Sequence, residues 1–260
     1  MSDFKDRYGP WAVIAGASEG LGEAFAIALA ERGLNLILWA RREQKLTALA
    51  QRLRDDYSVD VIIRPLDLAN PSQAEYTLSA HSEDIGLLVY NAAYSPIGPF
   101  ADTDPSELRQ AINVNVISPT LLSRQLATRL RSRGRGGIVL MSSLAGNQGG
   151  SNIATYAATK AYNTVLGEGL WQELRRQNID VVAPCAGAIR TPNYLDAETG
   201  KEAPGTIDAS VVAKAALDGL GKTPIVVPGR MNQFALFLMR RLLPRKRAIK
   251  LMAKNTESLA

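Results

Sequence analysis

Short apolar, β-branched runs alternate along this chain with longer segments whose apolar residues recur every three to four positions. The alternation opens with a strand over Trp11–Ala15, a helix over about Leu21–Arg32 and a strand over Asn35–Trp39, which together read as a βαβ unit. It continues through a helix near Glu43–Asp55, a strand at Val59–Arg64, a helix near Ser72–Ala80 and a strand at Ile85–Tyr90. Asp104 followed by Pro105 is an N-cap and first-turn pair, so a long helix is expected to run from there to about Arg131, stopped by Gly134–Gly137. A strand at Ile138–Met141, a helix over about Thr155–Arg176, a strand at Asp180–Ala183, a helix near Ala209–Leu220 and a strand at Ile225–Val227 complete seven strands.

Strands that are apolar on both faces and separated by helices pair in parallel, because right-handed crossovers place helices on both sides of the sheet. The expected fold is therefore a single-domain, doubly wound, Rossmann-type α/β sheet of seven parallel strands. No fixed-period repeat occurs, and the one long stretch without periodicity, 190–206, is rich in Pro, Gly and charge and is a candidate substrate lid.

Composition narrows this picture in one respect. Of 260 residues 46% are hydrophobic and 21% charged, which excludes a disordered, collagenous or disulfide-scaffold chain. The net charge of +5 invites a polyanion-binding reading, but its location argues otherwise. Residues 230–260 carry eight basic side chains and one acid, leaving 22 basic and 24 acidic residues in 1–229. The catalytic unit expected over 1–229 thus has no general reason to bind nucleic acid. The tail's apolar run, Phe234–Met239 with Leu242 and Leu243, is too short to span a bilayer, which needs about 18 residues. It reads as a cover over the pocket or an oligomer face, as an interfacial anchor on anionic lipid, or as a nucleic-acid patch. The single cysteine, Cys185, suits a reducing compartment, and the polar N-terminus lacks a secretory apolar stretch, so a cytoplasmic protein is expected.

The chemistry is concentrated in a few motifs. Gly16-Ala17-Ser18-Glu19-Gly20-Leu21-Gly22 follows the first strand and opens the first helix, where backbone N–H groups face a pyrophosphate. Tyr156 and Lys160 lie one helical turn apart on one face, and Ser143 closes a strand at its carboxyl end, where open parallel sheets meet their ligands. The GxxxGxG turn, the strand-end serine and the YxxxK pair, in this order and spacing across almost the whole chain, resemble the short-chain dehydrogenase/reductase family.

That resemblance implies an NADP(H)-dependent oxidoreductase moving hydride between the nicotinamide and a ketone or secondary alcohol. Tyr156 would be the general acid/base, Lys160 would lower its pKa and hold the nicotinamide ribose, Ser143 would polarise the substrate carbonyl, and Asn115 would hold a water behind Lys160. Ser142 is the neighbouring alternative, and strand alternation lets only one of the two serines face the substrate. Ala40 fills the family's NAD-selecting acidic position and Arg41 follows it, which matches the NADP pattern: a guanidinium binds the 2′-phosphate that a carboxylate would repel. By position Gly16, Ser18, Gly20, Leu21, Gly22, Asp67, Leu68, Asn91, Ala92, Ile189 and Thr191 would also contact the cofactor.

The chain departs from the family twice. Ala93 replaces the glycine of Asn-Asn-Ala-Gly, and Ala186 stands where Pro-Gly is usual, with Pro184-Cys185 offering a rival register. Tyr94, Ile97, Phe100 and Leu144, with Asn147 and Gln148 as polar handles, suit a neutral, largely apolar ketone. No metal-ligand spacing is present, and the lone histidine, His81, is expected in solvent. The family implies a homo-oligomer. Two other readings remain: a cofactor-binding sensor that has lost turnover, and a sugar-nucleotide epimerase or dehydratase, for which the region after the last catalytic helix is short.

Overall fold

In the computed structural model, which describes residues 2–192 and 202–256, the expected strands form one parallel sheet. In chain order the strands are β1 (Trp11–Ala15), β2 (Asn35–Ala40), β3 (Val61–Pro65), β4 (Ile85–Tyr90), β5 (Gly136–Leu140), β6 (Ser142–Ser143), β7 (Ile179–Ala186), β8 (Ile189–Arg190), β9 (Ile207–Asp208) and β10 (Ile225–Val226). The seven-strand path runs β10-β7-β5-β4-β1-β2-β3, with β6 added beside β7 and with β8 and β9 paired separately. The order reverses between β1 and β4, and ligands of open parallel sheets bind in the crevice above such a switch point.

The helices are α1 (Ser2–Tyr8), α2 (Gly20–Ala30), α3 (Glu43–Tyr57), α4 (Pro71–Ala80), α5 (Pro105–Ile112), α6 (Ser118–Arg133), α7 (Ala154–Leu174), α8 (Ala209–Gly219), α9 (Arg230–Arg241) and α10 (Arg245–Thr256). Helices cover both faces of the sheet. On one, Ile14, Leu36, Leu38 and Val89 pack with Phe25 and Leu29 of α2, Leu46 of α3 and Val212 of α8. On the other, Val13, Ile37, Tyr90 and Ile138 pack with Leu78 of α4 and Leu122, Leu126 and Leu130 of α6. Alternate residues of β1, β2 and β4 thus enter opposite cores, which is why these strands read as unbroken apolar runs.

Three features depart from expectation. The long helix after Asp104 is divided: Asn113–Ile117 forms a π-helical turn between α5 and α6. Pro119 has no N–H to give to the carbonyl of Asn115 four residues back, so the regular ladder relaxes at this point. His81 is buried, its Nδ1 2.9 Å from Glu83 Oε2 and its ring stacked on Trp39. The polar N-terminus forms α1, whose Tyr8 hydroxyl donates to buried Asp180 at 2.7 Å beside an Arg7 bridge at 2.5 Å. The candidate lid, 190–206, lies largely outside the described residues. At its flanks, Arg190 of β8 bridges Glu202 at 2.6 Å and also pairs with Asp208 of β9.

Candidate active site

The cofactor crevice is built from backbone. Gly16 turns with φ +86°, and its N–H and that of Ala17 donate to Trp39 O, tying the turn to β2. A Cβ on Gly16 would stand 2.7 Å from the backbone of Ala92, and one on Gly22 would overlap the Gly16 carbonyl. The turn therefore admits no side chain at Gly16 or Gly22 and leaves backbone bare there at the N-terminus of α2, the surface a pyrophosphate needs. Asn91 closes it from β4, its Nδ2 donating to Gly16 O at 2.9 Å. Thr191 reaches over from the end of β8: a Cβ on Gly20 would lie 3.0 Å from its methyl group. The residues named from sequence at Gly16, Gly20, Gly22, Asn91, Ala92 and Thr191 are thus brought together. Ala93 has no positive φ, so replacing the glycine there costs no backbone strain. Strand β7 runs through Cys185 to Ala186, and the following loop begins at Gly187.

Asp67 and Leu68 stand apart from this cradle in their bonding. Asp67 is exposed and accepts the Ala69 N–H as a turn aspartate, and Leu68 is buried with its carbonyl taken by Ser118.

At the end of β2, Arg41 is exposed, but Arg42 is the arginine that folds onto the glycine turn. It donates to Ser18 Oγ at 3.0 Å and pairs with Glu19, which also takes Lys45 Nζ at 2.6 Å. The hydrogen bond from Arg42 holds the Glu19 carboxyl below its ordinary pKa. Sequence reasoning missed Arg42, Glu19 and Lys45. Their signal was charge complementarity between a variable position of the glycine motif and the first turn of α3.

The chemical end lies at the carboxyl edge of β5 and β6. Ser142 is buried, with its hydroxyl 2.7 Å from both Lys160 O and Thr164 Oγ1. Ser143 is half-buried and faces away from that network, so the strand's alternation turns Ser143 toward Tyr156, whose pKa its hydrogen bond lowers. Burial outweighs that bond and leaves the Tyr156 phenol above its ordinary value. Lys160 is buried in the same helix, donates to Met141 O at 3.0 Å and sits 5.6 Å from the Tyr156 ring centre. Its own pKa falls to about 8, because desolvation penalises the ammonium. In this arrangement the Lys160 ammonium is turned to a backbone carbonyl.

Asn115 is buried in the π turn, accepts Tyr94 N–H at 2.8 Å, and donates to Tyr94 O at 2.7 Å and Thr159 Oγ1 at 3.0 Å. Its amide braces the loop after β4 against α7. Tyr94 donates to Glu107 at 2.7 Å, which raises its pKa and brings a carboxylate to lining that had looked neutral in sequence. Asn147, foreseen as a polar handle, is engaged by the tail: Arg240 donates to its Oδ1 at 2.8 Å and Arg245 to its carbonyl at 2.5 Å. A cavity of about 340 Å³ lies between Gln148, α7 and these two arginines. Cys185 is buried and its thiol pKa is raised by burial, as suits an inert core residue. Among the described residues no cluster of His, Cys, Asp or Glu could hold a metal ion, and no helix is long and apolar enough to cross a membrane.

A doubly wound sheet with a bare glycine turn at its switch point and serine, tyrosine and lysine at the strand ends defines a dinucleotide-type oxidoreductase fold and site. The short chain dehydrogenase family model matches residues 10–201, and the chain belongs to that family. It is similar to a 7beta-hydroxysteroid dehydrogenase of Clostridium sardiniense, 30% identical over 89% of this chain and 90% of the relative. It is also 32% identical over 83% of its length to a very-long-chain 3-oxoacyl-CoA reductase of Podospora anserina, of which it spans 64%. Among solved structures, one from a study of 7beta-hydroxysteroid dehydrogenase stereoselectivity superposes with a TM-score of 0.90 at 27% identity, covering 96% of this chain and 98% of that one. A short-chain dehydrogenase from Sphingobium yanoikuyae in complex with NADPH gives 0.75 at 32% identity, over 85% of this chain and 87% of that one.

Proposed function

We propose that the protein is an NADP(H)-dependent reductase of a neutral, largely apolar ketone, or dehydrogenase of the corresponding secondary alcohol. The observation that carries the reading is the convergence of Ser143, Tyr156 and Lys160 at the sheet edge above a turn with no room for a Cβ at Gly16 or Gly22. The basic group after β2, made of Arg41, Arg42 and Lys45, supports NADP(H) over NAD(H), since it gathers cations at the strand end where a 2′-phosphate would lie, Arg42 and Lys45 being paired with Glu19. Bound NADPH supplies the hydride.

Ser143 orients the substrate carbonyl by donating to its oxygen. Tyr156 gives the phenolic proton to the same oxygen as negative charge develops there, and its raised pKa keeps that proton in place until then. Lys160, released from Met141 O, holds ribose hydroxyls and offers a positive charge to the phenolate left behind. Asn115 keeps the Tyr94 wall in register. The hydroxysteroid and long-chain oxoacyl substrates in the names of its relatives support an apolar ketone. A sheet-edge site with all three chemical groups present favours turnover over a silent sensor.

The test is kcat/KM for NADPH and NADH on a panel of steroid, acyl-chain, aromatic and charged ketones, with Tyr156→Phe as control. NADPH and an apolar ketone should be preferred, and Tyr156→Phe should lower kcat by about 10² to 10⁴ while NADPH still binds. Preference for NADH, best turnover of a charged ketone, or near-normal turnover by Tyr156→Phe would each reject the corresponding part of the reading.

A further inference from the structure

Helix α9 leaves in solvent apolar side chains that a helix merely covering a soluble protein would bury. Its inward face carries buried Asn232 and Leu236 and half-buried Met239, with Asn232 bonded to Gly205 O and Pro228 O, and at its edge exposed Arg240 is bonded to Asn147. Its outward face carries the stripe Arg230, Phe234, Phe237 and Arg241, flanked by Met231 and Leu242. Phe234 is 67% exposed, Leu242 63%, and Phe237 and Met231 55% each. An amphipathic helix of a soluble domain turns its apolar arc to the core. Here two phenylalanines, a methionine and a leucine face out.

The same segment is uniformly cationic. From Arg230 to Thr256 the sequence holds eight Lys and Arg residues and no acid. In α10, Lys246, Arg247 and Lys250 are exposed together with Ile249 and Leu251. We propose that the outward face of α9, with the cations of α10 around it, docks on an anionic lipid surface, the phenylalanines entering the acyl boundary and the arginines meeting the headgroups. An exposed apolar stripe set among basic residues, on helices too short to span, is the form of an interfacial anchor. A two-fold pairing of this face with a second copy would set Arg230 and Arg241 of one chain against the same groups of the other, with no acid in the segment to separate them. The charge therefore selects lipid over self-association.

The experiment is co-sedimentation of the full-length protein with vesicles of phosphatidylcholine alone or with phosphatidylglycerol added, beside sedimentation velocity without vesicles. The protein should bind the anionic vesicles and leave the neutral ones. Phe234→Ser with Phe237→Ser should weaken that binding at least tenfold. Arg230→Gln with Arg241→Gln should weaken it about 25-fold, since each basic group near an anionic surface contributes about fivefold. All four side chains are exposed, so the melting temperature should hold in both variants, and the arginine pair remains decisive if the serine variant melts early. Equal binding to neutral vesicles, no binding to anionic ones, or both variants binding like the parent would overturn the proposal. So would a dimer that the serine variant breaks in a protein indifferent to vesicles, which would assign the face to a second copy.

Discussion

Replacing Lys160 with methionine should stabilise the protein at neutral pH while ending turnover, and the stability gain should vanish in alkali. The lysine is 2% exposed and its pKa falls from 10.5 to about 8. That fall corresponds to about 3 kcal/mol of preference for the neutral amine over the ammonium in the folded state. Below pH 8 both folded and unfolded chains hold the proton, and the whole penalty weighs on the native state. Between pH 8 and 10.5 the unfolded chain binds more protons than the folded one, so wild-type stability climbs with pH, and above 10.5 the penalty is gone. Methionine keeps the stem's packing, carries no charge at any pH, and forfeits the hydrogen bond to Met141 O, worth about 1 kcal/mol net. Lys160→Met should therefore be about 2 kcal/mol more stable than wild type at pH 7 and about 1 kcal/mol less stable near pH 11, with other titrating groups cancelling in the comparison. Urea unfolding of both proteins at the two pH values measures this. A difference of the same sign and size at both would refute the desolvation argument.

Two further outcomes follow from the hydrogen bonds. Ser142→Ala should cost about 1 kcal/mol of stability, because it strips a buried hydroxyl from Lys160 O and Thr164, and should leave KM for the ketone nearly unchanged, whereas Ser143→Ala should leave the urea midpoint in place and cut kcat. Asp180→Asn should lower unfolding free energy by about 2 kcal/mol, since it leaves the Arg7 guanidinium, itself partly solvated, without its anion and weakens the Tyr8 bond that fastens α1 to β7; calorimetry and proteolysis of the N-terminus check it.

The seven-stranded parallel sheet and the Tyr156–Lys160 pair were legible because each rests on a short-range rule. Tyr156 and Lys160 share a face through helix period alone, and the apolar runs from Trp11 to Val226 fix parallel strands buried on both sides. What escaped depended on groups far apart in the chain. His81 looked solvated because its neighbours in sequence are polar, and only the fold sets Trp39 against it. Asn115 could be selected by spacing, but its bonds to the Tyr94 backbone depend on the π turn that Pro119 permits, and a proline within an expected helix was the overlooked sign. Arg41 was chosen over Arg42 by position in a motif, yet the contact with the turn depends on Glu19, a residue the motif leaves unspecified.

Helical phase also separates two uses of the tail's charge that a residue count merges. Arg240 lies one turn after buried Leu236, at the exposed edge of the inward face, and with Arg245 it holds Asn147 in the turn that follows Ser143. Arg230 and Arg241 lie four residues before Phe234 and after Phe237, so they turn outward with the phenylalanines. Helix α9 thus engages the turn after Ser143 with one guanidinium group, Arg240, and shows two others, Arg230 and Arg241, to the surroundings, while Arg245 at the start of α10 adds a second bond to the same turn. Because Asn147 lies in the loop carrying the serine, the outward face of α9 is one hydrogen bond away from that loop.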